Sequence, residues 1–159
     1  MTLALPILKS FAVNTIQIEL NAVSSLIDCI DDKFFEACNL LKSLEGRIIV
    51  IGMGKSGHIA RKIAATFAST GSPAQFVHAA EACHGYLGMI TSKDAVLALS
   101  SSGSTHEIVA LLPSLKRLNV PLVSLCCRQD SPLAKRATVN LHIPIEKEAC
   151  PLNLAPTSS

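Results

Sequence analysis

The sequence predicts an α/β protein, a three-layer αβα sandwich on a five-stranded parallel sheet, and three observations predict it. Five short apolar runs show no polar alternation, which suits strands covered on both faces. Segments with helical spacing separate the runs. A glycine-rich turn follows the first run and a serine-rich turn the third. The expected strand order is 2-1-3-4-5, with two N-terminal helices packed outside the sheet.

The elements follow in order. From about Leu5 to Ile30, apolar residues recur at helical spacing through Ile16, Leu20, Val23, Ile27 and Ile30. Asp31-Asp32 opens a second helix that runs to about Leu44, and Gly46 closes it. Residues 1–46 thus read as a helical pair without visible chemistry, and residues 47–159 as the α/β core of one structural domain. Ile48 to Ile51 is the first strand, four β-branched residues in a row. Gly52, Gly54 and Gly57 follow, and Ser56 is expected to cap a helix from about Gly57 to Ala68. Thr70-Gly71-Ser72-Pro73 ends that helix, and Ala74 to Val77 is the second strand. His78 to Gly85 is a short helix or loop. Asp94 to Ser100 is the third strand, and a helix from about His106 to Leu118 follows its serine-rich turn. Pro121 to Cys127 is the fourth strand, Ser131 to Ala137 a short helix, and Val139 to Ile145 the fifth strand.

Composition narrows the function classes. Apolar residues make up 49% and charged residues 16% of the 159, a globular balance. The formal charge of +2 comes without a basic run, and aromatic residues are too few for a base-stacking platform. No nucleic-acid partner is expected. No apolar stretch reaches the ~18 residues of a membrane span, so no membrane partner is expected either. The opening Met1 to Pro6 lacks the basic region of a signal peptide. The six cysteines show neither a CxxC pair nor zinc-finger spacing and read as reduced, hence a cytoplasmic protein.

The spacing Gly52-x-Gly54-x-x-Gly57 formally matches the dinucleotide fingerprint. That fingerprint also needs an acidic residue about 20 residues on, to hold a ribose. Ser72 to His78 contains none, and Lys55 inside the turn is unusual for such a site. A strand, a glycine turn and a helix N-terminus instead favour a phosphate, with Lys55 adding a full positive charge.

Ligands of open parallel sheets bind beyond the carboxyl ends of the strands. Those ends deliver Lys55 and Ser56, then His78, Glu81 and His84, then Ser100, Ser102, Ser104, Thr105 and Glu107, and last Glu146 to Glu148. Any one of these has an ordinary structural explanation, such as a helix cap or a solvated turn. Their convergence on one edge points to a site for a phosphorylated substrate.

Several motifs together resemble the sugar isomerase (SIS) domain family. They are Gly52-Met53-Gly54-Lys55-Ser56-Gly57, Ala64 to Gly71, His78-Ala79-Ala80-Glu81-Ala82-Cys83-His84-Gly85, Ser100-Ser101-Ser102-Gly103, and Lys147 to Ser159. The resemblance implies interconversion of D-ribulose 5-phosphate and D-arabinose 5-phosphate, feeding Kdo and lipopolysaccharide synthesis. It implies substrate binding by Ser56, Gly71, Ser72, His78, His84, Ser100, Ser102, Ser104 and Thr105. Lys55, Glu107 and Glu148 fall on positions the family treats as catalytically relevant. No cofactor is required, but an inhibitory zinc can sit at His78. The resemblance also implies a homotetramer, the usual assembly in the family, acting on a sugar 5-phosphate.

The chain departs from the pattern at Tyr86, where an aspartate is expected, and at Ser104, where a glutamate is usual. The family also continues into a last helix, a histidine-containing segment and, in most members, two CBS domains. The sequence stops at Ser159, so a truncated form is expected. Aldose–ketose isomerisation moves a proton between C1 and C2 through a cis-enediol, which needs a base, an acid and a cation. Glu148 is taken as the base with Glu107 its rival, His84 as the acid and Lys55 as the cation. The alternative is a non-catalytic sugar-phosphate sensor built on the same domain.

Overall fold

The structure is a computed structural model that describes residues 5–159. Residues 1–4, the start of the segment weighed as a leader, lie outside the described residues. Two compact units are present. One spans Asp31–His142, and the other joins the described residues up to Ile30 to Ile143–Ser159.

The Asp31–His142 unit holds the sheet. Its strands are β1 (Ile48–Gly52), β2 (Ala74–His78), β3 (Ala95–Leu99), β4 (Leu122–Cys126) and β5 (Val139–His142). All pairings are parallel, in the expected order β2-β1-β3-β4-β5. Every residue of β1 and β3 is buried. Alternate side chains therefore feed two cores. Ile49, Ile51, Val96 and Ala98 pack with Ile108, Leu111 and Leu115 of α5 (His106–Arg117) and with α4 (Ala79–Cys83). Ile48, Val50, Leu97 and Leu99 pack on the other face with Ala60 and Ala64 of α3 (Gly54–Ser69) and Ala37 of α2 (Asp32–Lys42). A short α6 (Pro132–Arg136) buries Leu133 in the first of these cores. Helices on both faces give the expected three-layer sandwich.

Two elements differ from the sequence reading. Helix α3 starts at Gly54, not Gly57, because the Gly57 N–H already reaches the Met53 carbonyl at 3.1 Å. Ser56 therefore sits inside the first turn and caps nothing; Met53 is the N-cap residue. The glycines instead serve strand–helix packing. A Cβ on Gly52 would lie 2.7 Å from the Ser56 carbonyl oxygen, so only glycine lets the chain double back there. Strand β5 stops at His142, three residues short of expectation. Its partner β4 ends at Cys126, opposite His142, so the ladder has nothing further to pair with.

The second unit contains α1 (Leu5–Ser25), continued by a 3₁₀ turn over Leu26–Cys29. None of the 21 residues of α1 is buried, and Phe11, Ile16, Leu20 and Val23 are among its exposed apolar side chains.

One carboxylate joins the central strands at their starting edge. Asp94 is 2% exposed. It accepts from the Arg47 N–H at 2.7 Å, the Thr91 N–H at 2.8 Å and the Thr91 hydroxyl at 2.9 Å, and the Arg47 guanidinium lies 3.7 Å away. These bonds tie the start of β1 to the start of β3. Burial pushes the Asp94 carboxyl up, but the donors of Thr91 and Arg47 outweigh it and hold the group below its ordinary value. A lowered carboxyl contributes stability that is complete above the ordinary carboxylate pKa and is lost as pH falls through the lowered one. Asp94→Ala strands three donors and is expected to cost about 2–4 kcal/mol, read as the shift in urea midpoint near neutral pH. The difference from wild type should shrink at acid pH. An unchanged midpoint would show that the clamp contributes nothing.

Candidate functional site

The crossovers from β1 and from β3 leave in opposite directions, since β2 lies on one side of this pair and β4 on the other. The gap between the carboxyl ends of β1 and β3 is the switch point where open α/β sheets bind ligands. In register, Gly52 stands beside both His78 and Leu99, so three strand ends align there. Two long helices, α3 and α5, begin at this edge, one from each side of the gap.

Neither helix caps itself. The N-cap residues, Met53 and Thr105, make no side-chain capping bond. The first N–H groups of a helix have no intrahelical acceptor, and the helix dipole adds positive potential there. In α3 the second residue is Lys55, exposed and in no ion pair among the described residues. In α5 the second residue is Glu107, half-buried. The switch point thus has a cation on one helix start and a carboxylate on the other.

The turn from Ser100 to Thr105 is braced from within. Ser100 is buried, and its hydroxyl meets the Thr105 hydroxyl at 2.8 Å and the Gly103 N–H at 3.1 Å. That bond holds the Thr105 hydroxyl away from the N-cap position. Ser102 and Ser104 are exposed, and the Ser102 hydroxyl accepts from the Ser104 N–H at 3.2 Å, which leaves its own proton to donate. Gly103 is buried with φ of +62°. A Cβ there would collide with the Ser131 side chain, and the Leu133 N–H donates to the Gly103 carbonyl at 3.1 Å. Neighbouring groups so fix the turn before any anion arrives.

The histidine segment is tied to the same place. The Cys83 thiol donates to the Glu107 carbonyl at 3.5 Å, fastening the end of α4 to the first turn of α5. His84 follows directly and is exposed, as is Glu81; His78 ends β2 and is half-buried. Among the described residues no group of three or more His, Cys, Asp or Glu could hold a metal ion. Protein zinc sites take three or four side chains, so His78 alone does not fit one.

Two expected residues lie elsewhere. Gly71 and Ser72 precede β2, so they sit at the starting edge of the sheet, opposite the serine turn. Five strand residues at about 3.3 Å each separate the two edges. A parallel strand places whatever precedes it on the far edge, so one chain does not bring these two residues to the serine turn. Sequence reading also missed Cys83, Ser131 and His142. The His142 ring contacts the Cys127 carbonyl at 3.0 Å at the end of β5. Ser131 was readable as the cap of a helix, but its contact with Gly103 joins residues far apart in sequence and left no local signal.

Glu148 belongs to the other unit. Its carboxylate Oε2 accepts from the Thr157 N–H at 2.7 Å, the Ser158 N–H at 2.7 Å and the Thr157 hydroxyl at 3.0 Å. Partial burial pushes this carboxyl up, but the donors of Ser159, Thr157 and Ser158 prevail and hold it down at about 2.

Comparison with known proteins places this geometry. The SIS domain model matches residues 41–159. The chain belongs to the SIS domain family. Within that family it is 60% identical over 148 residues to arabinose 5-phosphate isomerase KdsD of Pseudomonas aeruginosa, covering 93% of this chain and 45% of that protein. It is 53% identical over 142 residues to KdsD of Escherichia coli K12, covering 89% of this chain and 43% of that protein. The chain therefore spans less than half the length of these curated relatives. Among solved structures, a protein of E. coli CFT073 in complex with arabinose 5-phosphate superposes with a TM-score of 0.94 at 43% identity, covering 99% of this chain and 84% of that one. The sheet order and serine turn are thus those of an SIS fold.

The braced turn makes a direct expectation. Gly103→Ala combines a left-handed backbone with a collision at Ser131, and it should cost at least about 2 kcal/mol, measured by urea denaturation. A variant as stable as wild type would show that the turn is not fixed by this contact.

Proposed function

We propose that this chain is the isomerase core of an arabinose 5-phosphate isomerase, interconverting D-ribulose 5-phosphate and D-arabinose 5-phosphate. What carries the reading is the switch point itself. Lys55 and Glu107, each the second residue of an uncapped helix, flank a serine turn rich in donors. The high identity to KdsD proteins across most of this chain supports the same substrate.

The phosphate takes the Ser102 and Thr105 hydroxyls and the first N–H groups of α5. Ser100 acts from behind, by holding Thr105. Ser104 and Ser56 lie close by on the turn and on α3. Glu107 removes the proton from C1 or C2 and returns it to the other carbon. The enediolate oxygen gathers negative charge, and the Lys55 ammonium stabilises it. His84, one residue beyond the Cys83 contact with Glu107, protonates the carbonyl oxygen and takes back the proton of the neighbouring hydroxyl as that becomes the new carbonyl, and His78 orients the sugar. Glu107 is taken as the base in this reading because it shares a unit with Lys55, and Glu148 stands as its rival. No step needs a redox cofactor or metal.

A non-catalytic sensor would need the serine turn but neither Lys55 nor Glu107 beside it. The wider reading is a cytoplasmic enzyme that supplies Kdo for lipopolysaccharide. Among the described residues no helix is long and apolar enough to cross a membrane.

The test is exchange of the substrate C1 proton with deuterated solvent, followed by NMR, alongside binding by calorimetry. Glu107→Gln should lower exchange by about 10²–10⁴-fold with binding retained. Ser102→Ala combined with Thr105→Ala should weaken binding. Exchange at the wild-type rate in Glu107→Gln would remove it as the base, and unchanged binding in the double variant would remove the serine turn as the phosphate site.

The same reading includes a homotetramer. It is supported by α1, which has no buried residue and exposes Phe11, Ile16, Leu20 and Val23. Apolar side chains in that number on one helix mark an interaction surface. Sedimentation equilibrium should give four copies, and Ile16→Glu with Leu20→Glu should dissociate them. A monomeric wild type would refute the assembly.

A further inference from the structure

The end of β4 holds the serine turn by its backbone. The Ser100 N–H donates to the Leu125 carbonyl at 3.1 Å, and past the last ladder residue the Cys127 N–H donates to the Ser101 carbonyl at 2.9 Å. The Cys127 thiol also meets the Ser101 hydroxyl at 3.4 Å. Cys127 follows the end of β4, so no strand pairs with its peptide groups. Its carbonyl has a single partner among the described bonds, the His142 ring Nε2 at 3.0 Å. A carbonyl only accepts, so Nε2 carries the hydrogen. His142 is half-buried at the end of β5, in the same unit as the turn.

With its N–H and its C=O both held, Cys127 keeps little freedom in φ and ψ. Its hold reaches the ligand side through one peptide plane. The Ser101 carbonyl and the Ser102 N–H belong to the same rigid trans unit and point opposite ways, so the bond to Cys127 fixes where the Ser102 N–H points. That N–H has no acceptor among the described bonds. The Ser102 hydroxyl, which accepts from the Ser104 N–H, still has its own proton to donate.

We infer that His142 is a positioning residue for the phosphate: its ring holds the Cys127 peptide, which in turn sets the Ser102 donors toward the ligand. It acts through Cys127 and needs no contact with substrate. The link from ring to turn stands on the distances above; its effect on turnover rests on the isomerase reading.

Ring and donor separate by substitution. His142→Phe keeps a ring and loses the N–H; His142→Gln loses the ring and keeps a donor of similar reach. A side chain that only fills space is replaced better by phenylalanine, and a donor better by glutamine. Amide hydrogen exchange at Cys127 reads the link with no substrate present. His142→Phe is expected to speed it about three- to tenfold, the effect of one lost hydrogen bond, whereas His142→Gln should stay within about twofold of wild type. The phosphate does not react, so its contacts are alike in ground and transition states and their loss appears in KM. With arabinose 5-phosphate, His142→Phe should raise KM about three- to tenfold with kcat within about twofold, and His142→Gln should restore KM. Wild-type KM and Cys127 protection in His142→Phe, or a fall in kcat at unchanged KM, overturns the inference. So does a His142→Gln that behaves like His142→Phe. Should His142→Phe fail to fold, His142→Asn takes its place with the same expectations, because its amide is one methylene too short to reach the carbonyl. Should the wild type turn over neither sugar phosphate, the isomerase reading fails, and exchange at Cys127 still decides the link by itself.

Discussion

Burial of β1 and β3 on both faces is the constraint from which the rest follows. Every residue of these strands is buried, so water must be excluded above and below the sheet. Only helices on each side can do that, and in a parallel sheet they come as crossovers. The crossover after β1 carries α3 to one face, and the one after β3 carries α5 to the other. Because the two set out in opposite directions, their helix starts cannot pack on one another, and a crevice is left between them. The site is therefore a by-product of how the sheet is covered. Lys55 and Glu107 face that crevice edge because each is the second residue after a strand turn, not because any local preference selects them.

The starting and finishing edges of this sheet are built on different terms. At the start, Asp94 satisfies every donor pointed at it, and Arg47 also reaches the Met89 carbonyl at 2.9 Å. The result is a closed network around one buried carboxylate. At the finish, hydroxyls and glycines brace the serine turn. Ser100, Thr105, Gly103 and Ser131 hold one another, and the groups left over face outward. A rigid frame behind unpaired donors is the arrangement that recognises an anion without reorganising.

The sheet was legible because its signals are local and redundant. Ile48 to Ile51 needs no partner to read as a doubly covered strand, and five such runs separated by helical spacing leave few topologies open. The strand order followed, as did Asp31 as a cap, whose side chain accepts from the Lys33 and Phe34 N–H groups. Ser56 misled because a serine after a glycine turn looks like a cap, while the ladder had already begun at Met53. Gly71 and Ser72 show a different limit: a linear motif carries no record of which sheet edge it occupies. Ser100 was rightly placed on the turn, yet whether a hydroxyl points out to a ligand or in to Thr105 depends on contacts that spacing does not encode. Glu148 shows the same limit. Its position after the last strand suggested a free carboxylate, and its bonds come from Thr157 and Ser158, beyond the reach of any periodicity.

Capping separates the two long helices at the crevice from α2 and α6. Helix α2 takes its cap from the Asp31 side chain, and α6 takes one from the Ser131 hydroxyl, which accepts from the Ala134 N–H at 3.2 Å. The two helices that flank the switch point have none. A missing side-chain cap costs about 1 kcal/mol each. At α5 the omission is active: Thr105 is a residue type that caps well, and Ser100 draws its hydroxyl elsewhere. Two orphaned helix starts beside one lysine are unfavourable in the empty protein, because their N–H groups have only water to bind. An anion supplies the acceptors that the chain withholds, so part of its binding free energy is the recovery of that deficit. Local instability of this kind, confined to one edge of an otherwise satisfied sheet, is what a binding site leaves in the free structure.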